Sequence, residues 1–313
     1  MDFIHKPVLL DQSIEGLNIA PDGIYVDCTA GGAGHSSAIA ARLNENGRLI
    51  ALDRDPDAVK TASERLARFS NALVVHSNYS ELDAVLAELG INKVDGILMD
   101  LGVSSYQLDE ESRGFSYHSD APLDMRMSRI GMSAADVVNS YTEQQLANII
   151  FEYGEEKFSR RIASNIVKAR EIAPITTTLQ LADIVRESVP QKARRDKNPC
   201  KKTFQAIRIA VNGEFDHLYL GLDKAFGALK PKGRLAVIPF QSLEDRIVKK
   251  RFAEWCKGCI CPPDFPQCVC GHKPQGFLVN RKPIEADQNE LDSNKRCRSA
   301  KLRVIERSAD CNG

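Results

Sequence analysis

A chain of 313 residues, 43% hydrophobic and 27% charged, is long enough for one large or two modest domains with an ample core. Its 42 basic residues balance 42 acidic ones, so whole-chain attraction to nucleic acid is excluded and any such surface must be a local patch. No apolar run reaches the length of a membrane span, and Met1 to Pro7 carry no charged-then-apolar signal pattern, so no membrane association is expected and the cytoplasm is the expected compartment.

In chain order, residues 5–10 form a short apolar lead-in expected to pack near a ligand mouth. Ile24-Tyr25-Val26-Asp27 then reads as a strand that ends in an acid and breaks into Gly31, Gly32 and Gly34. Helical residues follow, roughly His35 to Leu43, giving the strand, tight turn and helix of a nucleotide-binding α/β unit. Arg48 to Asp53 is a second strand closing on an acid about 20 residues past the glycines, where a ribose diol is expected. The loop lacks GxGxxG spacing and has Asp27 just before it, which favours S-adenosylmethionine over a dinucleotide, because no pyrophosphate needs cradling. Pro56 opens a helix to about Phe69; Ala72 to His76 is a third strand; Ser80 is a candidate cap for a helix over 81–89. Val94 to Asp100 is a fourth strand, again ending in an acid. Such alternation predicts a doubly wound, mostly parallel sheet with Asp27, Asp53 and Asp100 at one rim.

The alternation then stops. Over 112–212 no strand is evident, and helical stretches are expected near 133–139, 142–151, 155–173 and 179–189, the second opening on a Thr142 to Gln145 capping box. The expected organisation is a core over 1–111 and 213–313 with an all-helical insert over 112–212. After a helix near 215–228, the sheet resumes over 233–240, and 277–279 with 300–305 read as an antiparallel closing pair.

Several motifs carry chemistry. Asp100, at the end of the fourth strand, stands where an acid can accept hydrogens from an exocyclic amine and favour its attacking geometry; it can equally hold the cofactor or cap the next turn. Residues 113–117 and 122–127 combine arginine, aromatic and methionine side chains, reading either as a clamp on a base or phosphate or as a well-packed loop. Basic clusters at 192–202, 246–251 and 295–303 make RNA a plausible partner, although each alone is an ordinary solvated face. His35 is either a cofactor contact or a packing residue. Of nine cysteines, five fall between Cys256 and Cys270. With His272 these suggest a structural zinc site, with Cys259, Cys261, Cys268 and Cys270 as candidate ligands, or else free thiols or an oxidised pair.

Together, residues 27–36, 53–55, 95–105, 113–116, 122–127, 203–209 and 242–249 resemble the RsmH (MraW) family, bacterial methyltransferases of a cytidine N4 amine in 16S ribosomal RNA. The resemblance covers essentially the whole chain. It implies a Rossmann-like class I methyltransferase core with a helical substrate-recognition insert. It also implies S-adenosylmethionine as donor and a decoding-centre (P-site) cytidine of the small ribosomal subunit as target. By position it implies cofactor contacts at Ala33, Gly34, His35, Asp53, Tyr79, Asp100 and Gln107; Arg113, Phe115 and Phe240 are candidates at the substrate. The chain departs from the usual family pattern at Tyr79 (phenylalanine), Lys202 (arginine), Ser128 (an acid) and Gln241 (histidine), the last removing any titrating group there. Other readings are an amino-methyltransferase on DNA or protein, or a ribosome-binding assembly factor that keeps the cofactor pocket. Monomer and homodimer both remain open.

Overall fold

The computed structural model describes residues 7–194, 198–262, 265, 267 and 269–309. Seven strands form one sheet: β1 (Ile24–Asp27), β2 (Arg48–Asp53), β3 (Ala72–His76), β4 (Val94–Asp100), β5 (Leu229–Ile238), β6 (Gly276–Leu278) and β7 (Arg303–Arg307). Their order is β3-β2-β1-β4-β5-β7-β6. The first five are mutually parallel, and β7 runs antiparallel to both β5 and β6. This is the doubly wound, mostly parallel α/β sheet that the alternation of strands and helices predicted.

The central strands read as near-continuous apolar runs because helices cover both faces of a parallel sheet. Val26 in β1, Leu49 to Leu52 in β2 and Ile97 to Met99 in β4 are all buried. The helix Pro56–Leu66 starts with proline in its first turn and Asp55 as its cap, whose side chain accepts from Asp57 N–H. It lays Ala58, Ala62 and Leu66 inward, and Ala62 and Leu66 pack with Ala30 and Ala33 of the glycine loop and Ala51 of β2. Two local expectations give way. Ser80 is not a cap: Asn78 caps a short 3-10 turn, Tyr79–Glu81, and Ser80 is buried with its hydroxyl 2.9 Å from His217 Nδ1. The apolar lead-in is partly a helix, Leu10–Leu17, preceded by Leu9 in a left-handed conformation, whose N–H donates to Glu290.

The chain divides into two compact units, one comprising 1–102 with 217–313 and the other Val103–Asp216. The second unit thus reaches beyond the 112–212 expected from sequence at both ends. Among its described residues it is built from helices, including Ala134–Ser140, Glu143–Gly154, Ser159–Ile172, Thr178–Ser188 and Cys200–Asn212. Three of these open on Ser133, Thr142 and Thr177, each in a reciprocal capping box. Their apolar faces enclose a separate core that includes Leu146, Ile150, Ile162, Ile166, Leu181, Val185, Phe204 and Ile207.

Tyr25 shows how tightly the sheet is fitted. It pairs with Gly96 across β1 and β4, is 1% exposed, and its hydroxyl accepts from Ala20 N–H at 2.8 Å. A Cβ on Gly96 would lie 2.7 Å from the Tyr25 ring. Gly96→Ala is therefore expected to lower unfolding free energy by about 1–3 kcal/mol, measured by urea denaturation; an unchanged midpoint would show that the ring can shift.

Candidate active site

In a parallel sheet all strands end at the same rim, so the acids that close β1, β2 and β4 gather there by topology. Asp27 is fully buried: Oδ2 accepts from Ser36 Oγ at 2.5 Å and Oδ1 from Thr29 N–H at 3.1 Å. Thr29 also links this acid to the next strand, because its Oγ1 accepts from Asp100 N–H at 2.7 Å. Asp53 ties β2 to the glycine loop, accepting Gly31 N–H at 2.8 Å and Asp55 N–H at 2.9 Å. The loop turns through left-handed Gly31 and Ala33. A Cβ on Gly34 would fall 2.2 Å from the Pro7 ring, so only glycine admits the lead-in chain at this point.

His35 is buried, with Nε2 3.0 Å from Val8 O and Nδ1 3.6 Å from Asp100 Oδ2. In the neutral ring, donation to the carbonyl puts the proton on Nε2 and turns the Nδ1 lone pair toward Asp100. Burial lowers the His35 pKa, against opposing contributions from Asp27, Val8 O and Glu290. Burial, then the charges of Asp27 and Glu244, push the Asp100 carboxyl well above the usual carboxylate range. Both shifts favour a neutral pair. Asp100 Oδ1 is buried and accepts no hydrogen bond among the described residues. Burial also pushes Asp53 up to about 6, with the N–H groups of Asp55 and Gly31 opposing and the charges of Asp55 and Asp27 adding. A rim of crowded, under-compensated carboxylates is suited to a ligand that carries positive charge.

Residues 2–308 match the profile of the MraW methylase family. The chain belongs to the MraW methylase family. Among curated relatives, the ribosomal RNA small subunit methyltransferase H of Clostridium botulinum (strain Kyoto / Type A2) is 54% identical over 305 residues, 97% of this chain and 99% of that one. The protein of the same name from Brevibacillus brevis is 53% identical over 310 residues, 98% of this chain and 99% of its own. Among solved structures, a putative rRNA-methylase from Clostridium thermocellum covers 97% of this chain and 98% of its own at 10% identity, with a TM-score of 0.45.

Within this MraW-family chain, Ala33, Gly34, His35, Asp53 and Asp100 come together at the sheet rim. Tyr79 follows β3, its ring seated where Gly221 lacks a side chain: a Cβ there would lie 2.4 Å from Tyr79 Cδ2. Phe240, just past β5, is half-buried and approaches Gly102. Gln107, Arg113 and Phe115 belong to the helical unit. Gln107 completes a capping box with Ser104. Arg113 is 4% exposed, and its Nη2 donates to the carbonyls of Arg126 and Met127 at 2.9 and 3.0 Å. Phe115 is buried in the helical core. Of the two readings left open for this loop, these contacts fit the packed loop: Arg113 satisfies backbone carbonyls and Phe115 fills the interior.

Within the basic clusters two arginines are matched by acids: Arg303 is bidentate to Asp245, and Arg251 pairs with Asp223 and Glu254. Residues 195–197 of the remaining run lie outside the described residues. Thr29, Ser36 and Glu244 went unassigned in the sequence reading. Glu244 alone left a signal, an acid at the third position of the helix Ser242–Trp255, where a capping box places one.

Because the folded pKa of Asp53 lies above the ordinary carboxylate value of about 3.9, the folded state holds its proton more tightly than the unfolded chain. Stability from this group is fully present below about pH 4 and is lost as pH rises through about 6. Asp53→Asn is therefore expected to gain stability relative to wild type between pH 4 and pH 7, read as the difference in urea midpoint. A constant or shrinking difference would show that Asp53 ionises without penalty.

Proposed function

We propose that this protein methylates the N4 amine of a decoding-centre (P-site) cytidine in 16S ribosomal RNA of the small ribosomal subunit, with S-adenosylmethionine as donor. Family membership and the names of relatives matched along nearly their full lengths support the rRNA substrate. The observation that carries the chemistry is Asp100: a carboxylate at the end of β4, with a buried oxygen that accepts no hydrogen bond among the described residues, within reach of the charges of Asp27 and Glu244. That arrangement fits the donor, whose bound sulfonium supplies an electrophilic methyl group and a positive charge.

Each protein group then has a role that follows from its surroundings. Asp53 keeps acceptor capacity for ribose hydroxyls beyond the two N–H bonds that fix its orientation. Ala33, Gly34 and His35 bring backbone close to the ligand. Tyr79 offers a ring face near the adenine, and Phe240 packs toward the target base. Asp100 orients the amine. No nucleophilic side chain is required, because the amine is itself the nucleophile; holding it close and aligned provides most of the rate. The target base must leave its stack to reach the rim. A positive charge beside Asp100 favours its ionised form, so cofactor binding and proton release from this carboxyl are linked. The protein acts in the cytoplasm, where ribosomes are assembled.

The reading includes a structural zinc. Cys259, Cys261 and Cys270 hold their sulfur atoms within 4.8 Å of one another. The Cys259 and Cys270 sulfurs are 3.8 Å apart, too far for a disulfide and equal to the edge of about 3.8 Å of a tetrahedron with Zn–S bonds of about 2.3 Å. Cys268, the fourth candidate ligand, lies outside the described residues.

Two measurements test these assignments. Small subunits from a strain lacking the gene are expected to gain one N4-methyl on the P-site cytidine when incubated with the protein and S-adenosylmethionine, by nucleoside mass spectrometry with site mapping. Methylation elsewhere, or on DNA or protein instead, refutes the substrate. Metal analysis of the purified protein is expected to give one zinc per chain, falling to a small fraction in Cys259→Ser; equal zinc in the variant refutes the site.

A further inference from the structure

Four helix ends of the second unit meet at one pole. The helix Glu143–Gly154 passes through a turn at Glu155 into Ser159–Ile172, so one ends where the other begins. The carbonyls at that turn also meet the first turns of Cys200–Asn212: Lys202 Nζ donates to Glu155 O at 2.6 Å, and Gln205 Nε2 to Tyr153 O at 3.1 Å. A Cβ on Gly154 would lie 2.6 Å from Lys202 O, so the two backbones are in close approach. Thr178–Ser188 finishes at the same pole, since its last residue accepts from Asn165 Nδ2 of Ser159–Ile172 at 2.8 Å. The two helices that begin here carry paired cations in their first turns, Arg160 with Arg161 and Lys201 with Lys202, and neither first turn holds an acid. Cations there face the positive end of the helix dipole, an arrangement that costs stability unless an anion is nearby.

The adjoining chain repeats the bias. By sequence, residues 155–161 and 187–202 hold nine basic and four acidic residues, leaving 33 and 38 elsewhere in a chain with 42 of each. Lys157, Arg160, Arg161, Lys192 and Lys201 are exposed, and none of them is in an ion pair among the described residues. Of the acids, Glu156 is buried and accepts Phe158 N–H at 3.0 Å. The pole thus differs from Arg251 and Arg303, whose charge is matched by acids. An aromatic ring accompanies the cations: Phe151, in the last turn of Glu143–Gly154, is 61% exposed.

We infer that this pole of the helical unit is the surface on which the sugar-phosphate backbone of the rRNA docks, an assignment that rests on the rRNA reading above. Charge complementarity selects the partner. Unpaired cations gathered on a neutral protein attract a dense polyanion, and each phosphate they neutralise releases condensed counterions. The exposed Phe151 ring suits a nucleic acid, because an unpaired base can stack on it. Contacts of this kind are blind to base identity: they supply affinity and position, and leave the chemical step unchanged.

The test compares wild type with Arg160→Gln/Arg161→Gln/Lys201→Gln and with Arg160→Lys/Arg161→Lys, which keeps the charge. Affinity of the protein loaded with S-adenosylhomocysteine for unmodified small subunits is measured between about 50 and 200 mM salt, with methyl transfer and thermal unfolding alongside. The glutamine variant is expected to bind about 10–100-fold more weakly at low salt, with the slope of log Kd against log salt reduced by about 2. Its kcat at saturating subunits should match wild type, and its Tm should be equal or higher, since repulsion at two helix starts is removed. The lysine variant is expected to keep the wild-type slope. An unchanged slope in the glutamine variant overturns the assignment, and so does weaker binding that tracks a lower Tm, which marks a structural role. A benzophenone amino acid in place of Lys157 is expected to crosslink to 16S RNA; crosslinks confined to ribosomal proteins make the partner a protein and overturn it. If wild type binds no small subunits, the rRNA reading falls and this assignment with it, an outcome distinct from equal slopes in wild type and variant.

Discussion

Mutual repulsion of carboxylates at one rim of a parallel sheet is the constraint on which the rest of the site depends. Topology brings Asp27, Asp53 and Asp100 to the same strand ends, and Glu244 adds a fourth charge. The fold meets this with directed donors rather than with cations: Ser36 and Thr29 for Asp27, backbone N–H groups for Asp53, and backbone and amide N–H groups for Glu244. Asp100 is the carboxylate left least compensated. Its burial without a full set of donors is a cost that a bound cation relieves, which makes the free site a poised one.

The network also transmits position. Thr29 accepts from the Asp100 backbone while its own N–H satisfies Asp27, so the first turn after β1 and the end of β4 move as one piece. His35 extends that piece to the lead-in chain through Val8. Small residues make this closeness possible: Gly34 admits Pro7, and Ala30 and Ala33 sit under Ala62 and Leu66. A larger side chain at any of them would push ligand-facing backbone away from the carboxylates.

Arginines in the helical unit illustrate a different economy of charge. Arg113 and Arg170 donate to main-chain carbonyls, those of Arg126 and Met127 and those of Val138 and Tyr141. Asn212 does the same work at the end of its helix, bonding Met127 N–H and Met125 O. A loop with little regular structure is held by side chains that replace the missing ladder. Positive charge in a sequence is therefore an unreliable guide to an RNA-facing surface, because the guanidinium group serves backbone carbonyls equally well.

What the sequence by itself determined were the features that local physics dictates. Apolar runs set β1, β2, β3 and β4 at their observed limits, all but β3 closing on an acid, the glycines set the turn after β1, and reciprocal caps set the starts of three helices in the insert. What only the tertiary structure decided were pairings between residues distant in the chain. Local pattern does not say that Arg113 would turn to the carbonyls of 126 and 127, or that Leu10–Leu17 would be a helix held at its start by Glu290. Nor does it reveal that the buried Glu244 would add its charge to that of Asp27 at Asp100. Side-chain exposure and charge state follow from which groups the fold brings into contact, and no periodicity along the chain encodes that.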